Sequence, residues 1–279
     1  MYIHELVGGE PSANRRESYE IQNTILSISW GLCMTAISYD KQTLNAVNPI
    51  ARFSHRSRFT RALHYLNVYT PDRGTVVDFG AGPGAMLSML GNTRADIKLY
   101  AIEPAMPPSI DKRINYIDRL DQVPGKADVI SAFECCEHLL DQDLEAFLVD
   151  ASNALKDGGR LIISVPIMLG LALPFKILNR AFLLRHDPEY SWRETLAGIL
   201  GRKVQRSKNP MYSHKGFDFR TLKEKVSEKF TIEKEAVSPF YLPWWLNSQI
   251  FIVCSKRTEL SKAQSCSPRD IQKSETSRA

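Results

Sequence analysis

No C-x-x-C pair occurs in this sequence, although it holds five cysteines: Cys33, Cys135, Cys136, Cys254 and Cys266. The odd number and uneven spacing exclude a disulfide framework, and no metal-ligand set is expected from spacing. A reducing compartment, the cytoplasm, fits best. An apolar run of membrane-spanning length is missing too. Residues 25–39 are apolar but short and interrupted by serines, a threonine and Gly31, while residues 167–184 are broken by Pro174, Lys176 and Arg180. The start, Met1-Tyr2-Ile3-His4-Glu5, lacks a basic segment followed by an apolar one, so no signal peptide is expected. A large excess of charge is absent as well. A formal charge of +5, with no aromatics interleaved among the basic residues, gives no reason to expect a nucleic-acid partner.

What is present is an alternation of short apolar runs and amphipathic stretches. A basic helix is expected at 50–69, where Phe53, Phe59, Leu63 and Leu66 recur at helical spacing among Arg52, Arg56, Arg58 and Arg61. Strands are expected at 75–79, 97–102, 114–117, 127–133 and 160–165, with helices at 85–90 and 144–155. This order predicts an α/β fold, a doubly wound and mostly parallel sheet with helices on both faces. Residues 167–215 break the pattern and read as a helical insertion or lid after the fifth strand. A helix at 219–230 and strands at 231–237 and 249–255 follow. The domain proper is thus 51–256, after an N-terminal extension at 1–50 and before a polar, serine-rich tail at 257–279 that is expected to be disordered.

The densest signal is Val76-Val77-Asp78-Phe79-Gly80-Ala81-Gly82-Pro83-Gly84, a buried strand running into a glycine turn and a helix start. Glycines let backbone approach a ligand, and a helix N-terminus offers free N–H groups. Glu103, just after the next strand, is placed to accept ribose hydroxyls. These two features alone leave a nicotinamide dinucleotide and S-adenosylmethionine equally open.

Three further features stand in register. Asp78 gives Asp-x-Gly-x-Gly. The run 127–139 ends in Phe133-Glu134-Cys135-Cys136-Glu137-His138-Leu139, and the next segment reads Leu155-Lys156-Asp157-Gly158-Gly159-Arg160. In order and spacing the chain resembles class I S-adenosylmethionine-dependent methyltransferases, and within them the ubiquinone-biosynthesis O-methyltransferase-like group. The resemblance covers about residues 50–166, more weakly 216–255, and departs from the usual pattern at Asp157 and around Ile117-Asp118-Arg119-Leu120.

The resemblance implies a Rossmann-like seven-stranded sheet with an antiparallel last strand and S-adenosylmethionine as cofactor. It implies that Gly80, Ala81, Gly82 and Gly84 line the methionine and ribose side. Asp78 would hold the turn or meet the amino group, and Glu103 would take the ribose hydroxyls. Pro104, Asp118 and Arg119 would flank the adenine, and Phe133 and Glu134 would border the sulfonium. An arginine among Arg52, Arg56 and Arg58 would reach the carboxylate. His138 is the candidate catalytic base, with a capping or packing role as the other reading. Cys135 and Cys136 read as small packing residues. Asn/Asp-Pro-Pro-Tyr and Pro-Cys, which mark nucleic-acid methyltransferases of this fold, are absent after the fourth strand. The expected acceptor is therefore small or amphipathic (lipid-, quinone- or sugar-like) and methylated at oxygen, with peripheral membrane contact left open. A nicotinamide-dependent oxidoreductase and a non-catalytic cofactor-binding protein are the alternatives. His186, Asp187, Tyr190, Tyr212 and His214 in the insertion are possible substrate contacts.

Overall fold

The computed structural model describes residues 49–184, 189–211 and 213–257. Nearly all of the 1–50 extension, the tail beyond 257, and Cys33, Cys266, His186, Asp187 and Tyr212 lie outside the described residues. The elements run α1 (Pro49–Tyr69), β1 (Thr75–Phe79), α2 (Ala85–Thr93), β2 (Lys98–Ile102), β3 (Ile114–Tyr116) and β4 (Ala127–Phe133). They continue with α3 (Asp141–Ala154), β5 (Leu155–Pro166), α4 (Ala172–Leu184), α5 (Trp192–Ile199), α6 (Phe219–Lys229), β6 (Phe230–Ser238) and β7 (Gln249–Lys256).

The strands form one seven-stranded sheet in the order β3-β2-β1-β4-β5-β7-β6. β1 pairs in parallel with β2 and β4, and β4 with β5, whereas β7 runs antiparallel between β5 and β6. The central strands are apolar on both faces because helices cover both. Val76, Leu99, Val129, Ile162 and Phe251 face α1 and α2, where they meet Phe59, Tyr65, Leu66, Leu87 and Leu90. Val77, Ile130, Leu161, Ile163 and Ile252 turn the other way, onto Leu144, Phe147 and Leu148 of α3 and Leu222 and Val226 of α6. Adjacent residues such as Leu161 and Ile162 therefore belong to different cores, as the two-residue period of a strand requires.

Several boundaries differ from expectation. β5 starts at Leu155, not 160, because Leu155 already pairs with Ala127, and the register shift before Val129 absorbs the Gly158-Gly159 turn. α3 starts at Asp141, where Asp141 and Asp143 place negative charge in its first turn. On α1, Phe59, Leu63 and Leu66 pack as their spacing suggests, but Phe53 is exposed, its ring centroid 6.1 Å from that of Phe240. The insertion holds α4 and α5. α5 opens with a capping box made by Ser191 and Glu194. Backbone bonds from Gly170 N to Gly198 O (2.9 Å) and from Leu171 N to Trp245 O (2.8 Å) tie the insertion to the 244–246 turn. Among the described residues no helix is long and apolar enough to cross a membrane.

Phe251 is fully buried and lies 5.8 Å from Tyr65 and 6.4 Å from Phe133. Phe251→Ala is expected to cost about 3–5 kcal/mol in urea unfolding, through lost burial and a residual cavity. A loss below about 1 kcal/mol would mean that β7 is not packed under α1 as described.

Candidate functional site

In an open α/β sheet the crevice lies at the carboxyl ends of the strands, where the strand order reverses. Here β1 has β2 on one side and β4 on the other, and the chain leaves the two pairs in opposite directions. Asp78 sits at that point, 3% exposed, opposite Ser131 of β4, and accepts a 2.7 Å hydrogen bond from its hydroxyl. Burial raises the Asp78 carboxyl to about 7. The Ser131 hydrogen bond works against this, and the nearby Glu103 charge adds to it.

The glycine turn has a more divided role than the sequence suggests. Gly80, Gly82 and Gly84 all have positive φ, which favours glycine. A Cβ on Gly80 would lie 2.6 Å from Cys135 Sγ, and one on Gly84 would lie 2.7 Å from the Tyr116 hydroxyl. Those two positions are closed by protein. Only Gly82 has an open face, its nearest neighbour being Met106 Sδ at 3.8 Å. Nor are the turn's N–H groups spare. Gly80 and Ala81 donate to Ile102 O, and Gly84 donates to Ala81 O.

Glu103 follows β2 and locks this turn. Its two carboxylate oxygens accept 2.8 Å bonds, one from Gly82 N and one from Ala105 N. Each oxygen keeps a second lone pair, so the carboxylate can also receive two hydroxyls. Pro104, Asp118 and Arg119 are exposed at the same end of β2 and β3. The Arg119 guanidinium pairs with Asp121 at 2.5 Å, and Asp118 N donates to Gln122. Phe133, at the end of β4, meets Phe251 in a tilted ring contact. Glu134 has a positive φ of 53° and is held by three bonds. Its N–H donates to Ser164 O, Arg58 meets one carboxylate oxygen at 2.9 Å, and the Gln249 amide meets the other. Of the three candidate arginines, Arg58 is therefore committed to Glu134, Arg56 is exposed, and Arg52 has a buried Nε with no hydrogen-bond partner.

The 3₁₀ turn Cys136–His138 follows directly. Cys135 and Cys136 are packing residues whose thiols burial pushes upward, Cys135 against Gly80 and Cys136 in the core. Arg206 pins the turn by donating to Glu137 O and Leu139 O at 3.0 Å each. His138 places Nδ1 3.1 Å from Pro210 O and Nε2 3.2 Å from Nε2 of His214. Glu137 is fully buried, and neither carboxylate oxygen has a hydrogen-bond partner. Its Oε1 lies 4.0 Å from both imidazole Nε2 atoms. Spacing along the chain could not show this group, because His214 comes from the far end of the insertion. Nearby, Lys176 of α4 donates to Ile167 O and Ser248 O, and its amine is lowered to about 8, first by burial. Tyr190 anchors the 213–217 loop by accepting a bond from Gly216 N.

A profile described as "Methyltransferase domain" matches residues 52–193. No curated protein matches the chain in sequence. Among solved structures it is similar to the 1,6-didemethyltoxoflavin-N1-methyltransferase of Burkholderia thailandensis, at 15% identity over 90% of this chain and 93% of that one, with a TM-score of 0.50. It is also similar to the N-methyltransferase NodS of Bradyrhizobium japonicum (14% identity, 84% and 99% covered, TM-score 0.47). A third is the magnesium protoporphyrin IX methyltransferase of Synechocystis (13% identity, 86% and 100% covered, TM-score 0.44). At these identities the likeness is one of fold.

The Asp78 carboxyl gives a pH test. In the unfolded chain it ionises near pH 4, whereas in the fold it holds its proton to about 7. Its raised value means that the stabilising contribution is complete below the unfolded value and is lost as pH rises towards 7. The melting temperature of the cofactor-free protein is expected to fall between about pH 4 and about pH 7, and Asp78→Asn to flatten that fall. Parallel pH profiles for wild type and variant would show that Asp78 is not the group responsible.

Proposed function

The chain belongs to the methyltransferase-domain family and is an S-adenosylmethionine-dependent methyltransferase, and we propose that it methylates an oxygen of a small or amphipathic acceptor. The observation that carries this reading is the pairing of Gly82, the glycine of the 80–84 turn whose face is open, with Glu103, whose carboxylate is already fixed by the Gly82 and Ala105 amides. A diol suits that carboxylate, and an approaching ligand backbone or sulfur suits that glycine. The residues fit the cofactor, which supplies a methyl group on a cationic sulfur and so a good leaving group.

In this reading Asp78, Gly80, Ala81, Gly82 and Gly84 form the floor of the cofactor site. Glu103 orients the ribose, and Pro104, Asp118 and Arg119 border the adenine. Phe133 and Glu134 close the side where transfer occurs. The chain's work is chiefly positional: donor and acceptor are held in line and water is kept out. Glu134 is well suited to a fixed role because Arg58 and Gln249 hold both of its oxygens. The acceptor's proton leaves beside the group that follows it, Glu137, His138 and His214.

An amphipathic acceptor is supported by apolar side chains left exposed on α1, around α4 and on the loop between β6 and β7. Phe53, Phe240, Tyr241, Leu171, Phe175 and Leu178 are exposed. Phe53 precedes Arg58 on α1, and Phe240 begins the loop that returns to Gln249, so both lead to the residues that hold Glu134. The nicotinamide-dependent alternative is set aside by the family match.

Glu103→Gln replaces an acceptor oxygen with an NH₂ that opposes a backbone N–H. Calorimetric titration with S-adenosylmethionine is expected to show affinity about 10- to 100-fold lower than wild type. Unchanged affinity would remove Glu103 from the site. Transfer of labelled methyl is expected to favour quinol-, lipid- or glycolipid-like acceptors over short water-soluble ones, and a strict preference for the latter would overturn the acceptor class.

A further inference from the structure

We propose that Glu137, His138 and His214 form a binding site for one divalent transition-metal ion of the zinc class. Their donor atoms (one carboxylate oxygen and two imidazole nitrogens) all lie within 4.8 Å of one another. The two Nε2 atoms are 3.2 Å apart. Ligands about 2.1 Å from a tetrahedral zinc stand about 3.3–3.4 Å from each other, so the imidazole pair already has the required separation. Glu137 Oε1, at 4.0 Å from both nitrogens, needs to close by about 0.7 Å, within the reach of a small side-chain rotation.

Three independent features favour a cation here over a shared proton. The first is Glu137. A fully buried carboxylate with no donor to either oxygen is costly, and a proton between the two imidazoles would leave it just as unsatisfied. A cation among the three groups satisfies all of them together. The second is the orientation of His138. A backbone carbonyl can only accept, so Pro210 O at 3.1 Å assigns the proton to Nδ1 and leaves Nε2 with its lone pair towards the centre of the group. A ligating histidine held through its other nitrogen by a carbonyl is the usual outer support of a metal site. The third is rigidity with access. Arg206 holds the carbonyls of residues 137 and 139, while His138 and His214 keep 20% and 35% of their side chains exposed, which gives an ion a path in.

Two histidines and one carboxylate make three protein ligands and leave a coordination position open, the arrangement of catalytic rather than structural zinc sites. Imidazole-rich sites also prefer zinc and the other later first-row metals to magnesium. The group sits directly after Glu134, on the side where the methyltransferase reading places the acceptor. An acceptor hydroxyl in the open position would lose its proton to solvent more readily. That role rests on the methyltransferase reading, but the binding of the ion does not. In this assignment His138 serves as a ligand instead of the free base or packing residue that the sequence left open.

The test uses the full chain, stripped with chelator and titrated calorimetrically with Zn²⁺, Co²⁺ and Mg²⁺. We expect one Zn²⁺ or Co²⁺ per chain, weak or no Mg²⁺ uptake, and the visible absorption of a tetrahedral cobalt centre. His214→Ala and Glu137→Gln are expected to abolish the stoichiometric uptake and the cobalt bands. His214 is partly exposed, so its variant should keep the fold, and circular dichroism and S-adenosylmethionine affinity check this. No stoichiometric ion on the wild type, or uptake unchanged in folded His214→Ala, overturns the site. If the stripped wild type fails to bind S-adenosylmethionine, the methyltransferase reading falls, and the metal titration is still interpretable by itself.

Discussion

The rest of the site depends on one buried contact, the hydrogen bond from Ser131 to Asp78 at the junction of β1 and β4. Here the sheet divides, with the chain winding outward through β2 and β3 on one side and through β5, β7 and β6 on the other. The register that places Asp78 opposite Ser131 also brings the glycine turn against Cys135. A slip of one residue would send Asp78 to the opposite face and exchange the two cores. The apolar strands supply the adhesion, while this polar pair specifies which alignment is the functional one.

Around that junction, polar groups are bound to protein first. Glu103 is held by two amides, Glu134 by an arginine and a glutamine, and Lys176 by two carbonyls. Each acquires a fixed direction without a ligand. Glu137 differs, since its carboxylate is as deeply buried as any group in the molecule yet has no donor. A buried carboxyl with no donor, set beside two imidazoles, is arranged to take up a cation in place of the proton that burial holds on it.

Much of this was legible in the sequence, for identifiable reasons. The strands at 75–79 and 127–133 are short apolar runs bounded by turn residues, and local pattern alone located both as they occur. Boundaries set by pairing were not legible. β5 begins early because Ala127 is there to receive Leu155. Phe53 has the same spacing as Phe59 but extends past the sheet, so periodicity could not separate a core residue from an exposed one. Residue type located the glycine turn and Glu103, but not which glycines are closed by Cys135 and Tyr116, since those neighbours come from other strands. His214 meets His138 across 76 residues, and only the folded insertion brings them together.

The position of β7 has a consequence for how the chain is made. Among the described residues this strand is synthesised after every other strand, yet it lies inside the sheet and pairs along its length with both β5 and β6. Until it leaves the ribosome, β5 presents a bare edge of apolar backbone, and β6 has nothing to join. The amino-terminal half can assemble during translation, but the sheet closes only afterwards, through contacts distant in sequence, and such closures are slow. The nascent protein therefore passes through a half-sheet state with one sticky side, which is the stage at which a chaperone would have most to protect.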